Sequence, residues 1–212
     1  MRRAKVAEEV DELRAIGNIV DVGQMLRNVY RKRSGQILVE STQGWGLSLN
    51  GPFYPTCTSR DITPAQALSD AGLPSNFMHS VIMVMRTFPI RVAGPSGEMG
   101  EEVTWDALSA QTGGYIKPER TTVTKRIRRI AKWNPAYIRM ATDACNPDAI
   151  AISFFDYLRP DLANKNQLDM AAVDEITMME SDADTKALWV STGFQNWIPT
   201  VPVVEAEKKA GW

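Results

Sequence analysis

Residues 36–60, QILVESTQGWGLSLNGPFYPTCTSR, decide the fold. An apolar run, Ile37-Leu38-Val39, leads into Glu40, Gln43 and Gly44, and then into a Tyr54-Pro55-x-x-Thr58-Ser59 turn. That order predicts a buried strand that delivers polar side chains and a flexible loop to one end of a sheet, where α/β folds bind ligands. Upstream, Val6, Val10 and Leu13 recur at i, i+4 and i+7, which predicts an amphipathic helix over 4–16 with Glu8, Glu9, Asp11 and Glu12 on its wet side, ended by Gly17 and Asn18. A second helix is predicted over 22–33. Asp21 is its N-cap, Val22, Met25, Leu26 and Val29 form the inward stripe, and Arg31, Lys32 and Arg33 meet the dipole at its last turn.

Downstream, Thr63-Pro64-Ala65-Gln66 has a capping-box pattern with proline at the first helical position, and Gly72 stands where a glycine ends a helix. The runs 81–88, VIMVMRTF, and 149–155, AIAISFF, suit central strands, and His79 falls in a short helix before the first of them. Asn134-Pro135 opens a helix to about Cys145, with Tyr137, Ile138 and Ala141 on one face, and Asn146-Pro147 stops it. Residues 167–180 read as helical or irregular, and Ala187 to Val190 as a last strand before Ser191-Thr192-Gly193. The alternation of helix and strand predicts an α/β fold with a mostly parallel sheet flanked by helices. Residues 1–198 are expected to form one unit and 199–212 a tail or docking segment, the tail-like composition starting at Ile198.

Composition narrows the function classes. The 212 residues, 44% hydrophobic and 23% charged, suit one globular core and exclude disordered and collagen-like classes. A net charge of -1 and a pI near 5.9 oppose a global attraction to nucleic acid, so the basic run Lys125 to Lys132 is a local feature. Cys57 and Cys145 show no metal-ligand spacing and read as ordinary thiols in a reducing compartment. No window reaches the roughly 18 apolar residues of a membrane span, and no apolar signal core follows Met1-Arg2-Arg3, so a cytoplasmic location is expected. The single histidine, six tryptophans and ten methionines lack ligand or stacking spacing, and no metal site is expected.

Glu40-Ser41-Thr42-Gln43-Gly44 and Tyr54 to Ser59 resemble the adenylosuccinate synthetase family, in which a strand ends in Glu-Gly-Ala-Gln-Gly and meets Tyr-Pro-x-x-Thr-Ser after the same interval. The resemblance implies a partial adenylosuccinate synthetase-like fold, related to P-loop NTPases. It also implies a purine monophosphate site at Gln43, Gly44, Thr58 and Ser59. A Gln amide both donates and accepts at a purine edge, and a Thr hydroxyl with backbone N–H groups cradles a phosphate. Thr87 to Pro95 resembles the family's Thr-Thr-Arg-Val-Gly-Glu-Gly-Pro segment and adds Arg91 and Val92 to that site. Thr122 to Trp133 resembles the family's Thr-Thr-Gly-Arg-Pro-Arg-Arg-Cys-Gly-Trp loop, with Lys125 for the glycine and Ile127 for the proline. There the threonines and arginines grip L-aspartate, which implies Thr124, Arg126 and Arg128 here, since a guanidinium pairs with a carboxylate through two parallel bonds. Without the resemblance, that run reads equally as a solvated basic helix face or an RNA contact.

The family's guanine-recognition elements resemble Ser153-Phe154-Phe155-Asp156, where Phe154 replaces a lysine, and Ser191-Thr192-Gly193. The resemblance therefore implies a triphosphate base site at Asp156, Ser191 and Gly193, with GTP or ATP as the nucleoside triphosphate. By residue type alone, Asp156 is a turn or helix cap. The resemblance covers about residues 5–198 and maps the second half of the family fold. No GxxxxGK phosphate loop occurs in the 212 residues, so no catalytic residue is assigned and Mg²⁺ is expected only in a completed complex. Two readings follow. One is the purine-nucleotide-binding subunit of a split ligase, completed by a polypeptide that supplies the N-terminal half and inactive alone. The other is a noncatalytic nucleotide-binding remnant. Purine nucleotide and L-aspartate are the expected partners, nucleic acid is disfavoured, no membrane is expected, and homo-oligomerisation is left open.

Overall fold

The computed structural model describes residues 2–17 and 20–200, so Asn18 and most of the expected tail, 201–212, lie outside the described residues. Where the sequence suggests one unit over 1–198, the chain divides into two compact units. Among the described residues, one comprises those of 1–41 with 65–77, the other 42–64 with 78–200.

The first unit carries three helices, α1 (Arg2–Ile16), α2 (Val22–Lys32) and α3 (Pro64–Asp70). Asp21 caps α2 by accepting from the Gln24 N–H, and Arg33 ends it in the left-handed region. The apolar stripes are less buried than their periodicity implies. Val6, Leu13, Val22 and Met25 each remain about half exposed, and α2 has no fully buried residue. Gly72 follows α3 at φ 68, and a Cβ there would come within 3.2 Å of the Gly23 Cα, so the two glycines let α2 and the end of α3 approach closely. Arg27 donates to the Gly72 carbonyl at 2.6 Å, and the Tyr30 ring stacks on Phe77 with centroids 3.7 Å apart.

Residues 36–40 are not a strand. They belong to no ladder, and Leu38 is 79% exposed. Apolar β-branched composition favours an extended chain, but only pairing with a neighbour makes it a strand, and none of the described strands runs beside it. His79 likewise lies in an exposed connection, not in a helix.

The second unit holds two sheets. The larger has the order β1 (Ile82–Arg86), β5 (Ala149–Ser153), β6 (Ala187–Gly193), β7 (Asn196–Pro199). Its first three strands are parallel and β7 returns antiparallel. It is therefore a mixed sheet of mainly parallel strands flanked by helices, as the alternation of elements predicts. Two expectations change. β1 is an edge strand with Val84 65% exposed, so of those two apolar runs only the second, β5, is central, buried at all five positions. The sheet also runs on through Ile198, which is buried in β7 and was expected to begin the tail.

Helix α7 (Met170–Ala183) settles the ambiguous 167–180 stretch. Ala172, Ile176, Met179 and Ala183 recur at helical spacing and pack with Ile150, Ile152, Phe155 and Val190 in one core. Each fully buried Ile or Phe there contributes roughly 1.5–3 kcal/mol. Helix α5 (Pro135–Cys145) opens with Asn134 accepting from the Tyr137 N–H, and its Thr142 is buried. The short α6 (Phe155–Leu158) follows β5 directly. The smaller antiparallel sheet, β2 (Ile90–Arg91), β4 (Arg129–Ala131) and β3 (Glu102–Val103) in that order, was not legible in the sequence. Helix α4 (Trp105–Gln111) packs Trp105 and Leu108 against Ile130 of β4.

Candidate functional site

The 43–62 segment is a loop built almost entirely from its own hydrogen bonds. Residues 45–47 make one 3₁₀ turn, and the Thr58 N–H donates back to the Leu47 carbonyl at 2.8 Å. Asn50 donates both its backbone and its side-chain N–H to the Asp61 carboxylate, at 2.9 and 2.8 Å, which holds that carboxyl below its ordinary range. The buried Ser48 hydroxyl accepts from the Ile62 N–H at 2.9 Å. Phe53 packs edge-on against Trp45 and Tyr137. Gln43 and Gly44 stand at the mouth of this frame. Gln43 is exposed in the left-handed region at φ 67, and a Cβ on Gly44 would meet open space, so backbone and amide are uncovered there. The side chains of Gln43, Thr58 and Ser59 make no hydrogen bond among the described residues.

Arg91 and Val92 were expected at the nucleotide. Val92 is half exposed, whereas Arg91 is engaged with the protein. It donates from Nη2 to the Gly46 carbonyl at 2.7 Å, and from Nη1 to the Thr56 and Ser96 carbonyls at 3.1 and 2.5 Å. Its guanidinium also lies over the Phe53 ring. Burial, and next the positive Arg129, pull its pKa below the usual arginine range. Arg91 therefore ties both arms of the 43–59 loop together.

The basic run is a loop entering a strand, which removes the helix-face reading. The Thr121 N–H donates to the Arg126 carbonyl and the Lys125 N–H to the Thr121 carbonyl. The Thr121 and Thr124 hydroxyls share a hydrogen bond of 2.6 Å. Lys125 adopts φ 55, the backbone state that suits glycine. The loop thus keeps that geometry at a cost of roughly 1–2 kcal/mol. Its arginines divide sharply. Arg120 donates to the Lys125 carbonyl, and Arg129 pairs with Glu102 and reaches Ser96 and Gly97. The guanidinium groups of Arg126 and Arg128 have no partner among the described residues. Arg128 is nevertheless fixed in place, since its N–H donates to the Glu119 carbonyl and its carbonyl accepts from Trp105 Nε1 at 2.6 Å.

The sheet end is closed on itself. Asp156 lies in α6 and is 6% exposed; its carboxylate accepts from the Tyr115 hydroxyl at 2.9 Å. Burial raises its pKa, and burial followed by that bond pushes Tyr115 up to about 12. Phe154, in the place of the lysine, sits at φ 60 with the Arg86 guanidinium 3.5 Å over its ring, and Arg86 pairs with Glu119. The Ser191 hydroxyl donates to the Gly193 carbonyl at 2.9 Å, and a Cβ on Gly193 would overlap Asn164 Oδ1 at 2.2 Å. The three residues expected at a triphosphate base are thus engaged within the protein.

Ser96, Gly97 and Tyr115 were not singled out from the sequence, and Arg129 entered only as a retained arginine of the basic-loop match, without an assigned site. The available signal was the Gly94-Pro95-Ser96-Gly97 turn just beyond the 87–95 match. Among the described residues no three His, Cys, Asp or Glu side chains converge on one point. Among them also, no helix is long and apolar enough to cross a membrane.

The profile of the adenylosuccinate synthetase family matches residues 2–164. The N6-succino-2-amino-2'-deoxyadenylate synthase of Vibrio phage phiVC8 is 45% identical over 130 residues, 60% of this chain and 36% of that protein. The adenylosuccinate synthetase of Archaeoglobus fulgidus is 32% identical over 200 residues, 91% of this chain and 55% of that one. The chain therefore spans only a third to about half the length of these relatives. Among solved structures, the cyanophage S-2L succinoaminodeoxyadenylate synthetase bound to dGMP and dATP superposes with a TM-score of 0.59 at 26% identity, over 81% of this chain and 48% of that one. Adenylosuccinate synthetase from Plasmodium falciparum, at 16% identity and a TM-score of 0.70, shares the fold over 94% of this chain and 62% of that one.

Proposed function

Given that the chain belongs to the adenylosuccinate synthetase family, we propose that it forms the acceptor side of a carbon–nitrogen ligase joining L-aspartate to position 6 of a purine monophosphate. We take the acceptor to be dGMP, because the phage relatives of highest identity are named for a 2-amino-2'-deoxyadenylate product and the cyanophage enzyme binds dGMP. One observation carries this reading. In two loops whose backbones are held by internal hydrogen bonds, the side chains of Gln43, Thr58, Ser59, Arg126 and Arg128 are among those with no partner among the described residues. In this assignment Gln43 and the Gly44 backbone read the purine edge, and Thr58 and Ser59 hold the 5′-phosphate. Thr124, Arg126 and Arg128 orient the two carboxylates of L-aspartate so that its amine faces the purine.

The phosphate loop and the catalytic base come from polypeptide outside these 212 residues, which contain no GxxxxGK pattern. The donor is a nucleoside triphosphate. An adenine-type base is favoured because the Asp156 carboxylate, which would accept from guanine, is buried at 6% exposure beside the Tyr115 hydroxyl. The reaction is assigned to the cytoplasm.

Calorimetric titration tests the assignment. dGMP is expected to bind more tightly than GMP or IMP, and the 212-residue protein alone is expected to release no phosphate from a triphosphate. Absence of purine monophosphate binding would refute the reading. A noncatalytic nucleotide-binding role is favoured by one feature, the closed sheet end, and it predicts the same dGMP binding with no succino product after a phosphate-loop polypeptide is added. Nucleic-acid binding at the basic loop would instead tolerate Arg126→Lys and fall steeply with salt.

A further inference from the structure

The 43–59 loop and the basic loop are far apart in sequence, yet both fasten to one residue. Ser96 accepts from Arg91 at its carbonyl, 2.5 Å, and from Arg129 Nη1 at its hydroxyl, 2.9 Å, while that hydroxyl donates to the Val92 carbonyl. Arg91 carries the link onward to the Gly46 and Thr56 carbonyls. Arg129 begins β4 directly after Arg128, three residues beyond Arg126, and it also donates to the Glu102 carboxylate, to the Gly97 carbonyl at 2.8 Å and to the Gly94 carbonyl at 3.4 Å. Gly97 closes the connection from the other side. At φ 100, a Cβ there would lie 2.4 Å from Thr56 Oγ1 and 3.1 Å from Arg91 Nη1, so the turn packs against the 43–59 loop without clearance. A displacement of either loop must therefore break a hydrogen bond at Ser96 or drag the turn with it.

We infer that Ser96, held between Arg91 and Arg129, is a positioning residue that couples the nucleotide loop to the dicarboxylate loop. The inference rests on the assignment of those loops to purine monophosphate and L-aspartate. Neither Ser96 nor Arg129 touches a ligand in it. Their role is to set the position of Thr58 relative to Arg126 and Arg128, so that filling one loop stiffens the other.

Cys57, between the Thr56 carbonyl that Arg91 holds and Thr58, reports on the loop without any ligand, and Cys145 at the end of α5 is an internal control. Iodoacetamide labelling of the full chain, quantified at both thiols by mass spectrometry, gives the ratio of their rates. Ser96→Ala removes the Arg129 acceptor with little change of volume, and Arg129→Lys keeps the charge beside Glu102 but loses the fork. Each is expected to raise the Cys57 to Cys145 ratio roughly threefold or more by local opening. Saturating L-aspartate is expected to slow Cys57 labelling in the parent protein and to leave both variants unaffected. An unchanged ratio in both variants, or equal protection by aspartate in parent and variants, overturns the coupling. A raised ratio in the variants with no aspartate effect in the parent leaves the mechanical link standing and counts against the aspartate assignment instead.

Discussion

The end of the main sheet and the two loops both carry matches to one family, but they treat their polar groups in opposite ways. At the sheet end, Asp156 is buried against Tyr115, Ser191 turns back on the Gly193 carbonyl, and Arg86 is engaged with Glu119 and the Phe154 ring. In the loops, the backbone is tightly bonded while the side chains of Gln43, Thr58, Arg126 and Arg128 have no partner among the described residues. The difference teaches that retention of a residue type does not establish its use. A polar side chain that the fold leaves unengaged has its full hydrogen-bonding capacity for a ligand, whereas an engaged one has only what remains.

The contrast breaks first where packing is deepest. Phe155 is fully buried at the sheet end, so Phe155→Ala should cost about 3–5 kcal/mol in urea unfolding. Arg126→Ala, in the open loop, should stay within about 0.5 kcal/mol. Similar costs for the two would erase the distinction. Arg91 is intermediate, a loop residue used structurally. Arg91→Ala strands three carbonyl acceptors and is expected to cost roughly 2–3 kcal/mol, with purine monophosphate affinity falling too. Lys125→Gly sharpens the picture from the other side. It relieves a left-handed φ of 55 and should stabilise the protein by about 0.5–1 kcal/mol in the same assay.

The parallel strands, the capped helices α2 and α5 and the α/β class were legible because the Asp21 and Asn134-Pro135 starts and the continuous apolar runs act locally. The 36–39 strand was not, since Ile37-Leu38-Val39 has strand composition but no neighbour to pair with among the described strands. The β2-β4-β3 sheet escaped because its strands are two or three residues long and join segments far apart in sequence. At the site, the motif spacing marked Gln43, Thr58, Arg126 and Arg128. It could not separate them from Arg91 and Asp156, because engagement depends on carbonyls and hydroxyls, such as those of Gly46, Ser96 and Tyr115, that lie distant in the chain.

A pH series probes the closed end by direction alone. Burial raises the folded-state pKa of Asp156 above its unfolded value, so the folded state favours the proton. The stability this group contributes is fully present below the unfolded pKa near 3.8 and is lost as pH rises through the folded pKa. Asp156→Asn should therefore be more stable than the parent at neutral pH, with the gain shrinking on acidification. A gain independent of pH would place the effect elsewhere.

The most direct test sets one open residue against one closed one in dGMP calorimetry. Gln43→Ala is expected to weaken dGMP binding by about 1–3 kcal/mol, as a base edge loses its partner. Asp156→Asn is expected to leave the affinity unchanged. Undiminished binding in Gln43→Ala, or an equal loss in Asp156→Asn, would contradict the assignment of the acceptor nucleotide to the 43–59 loop.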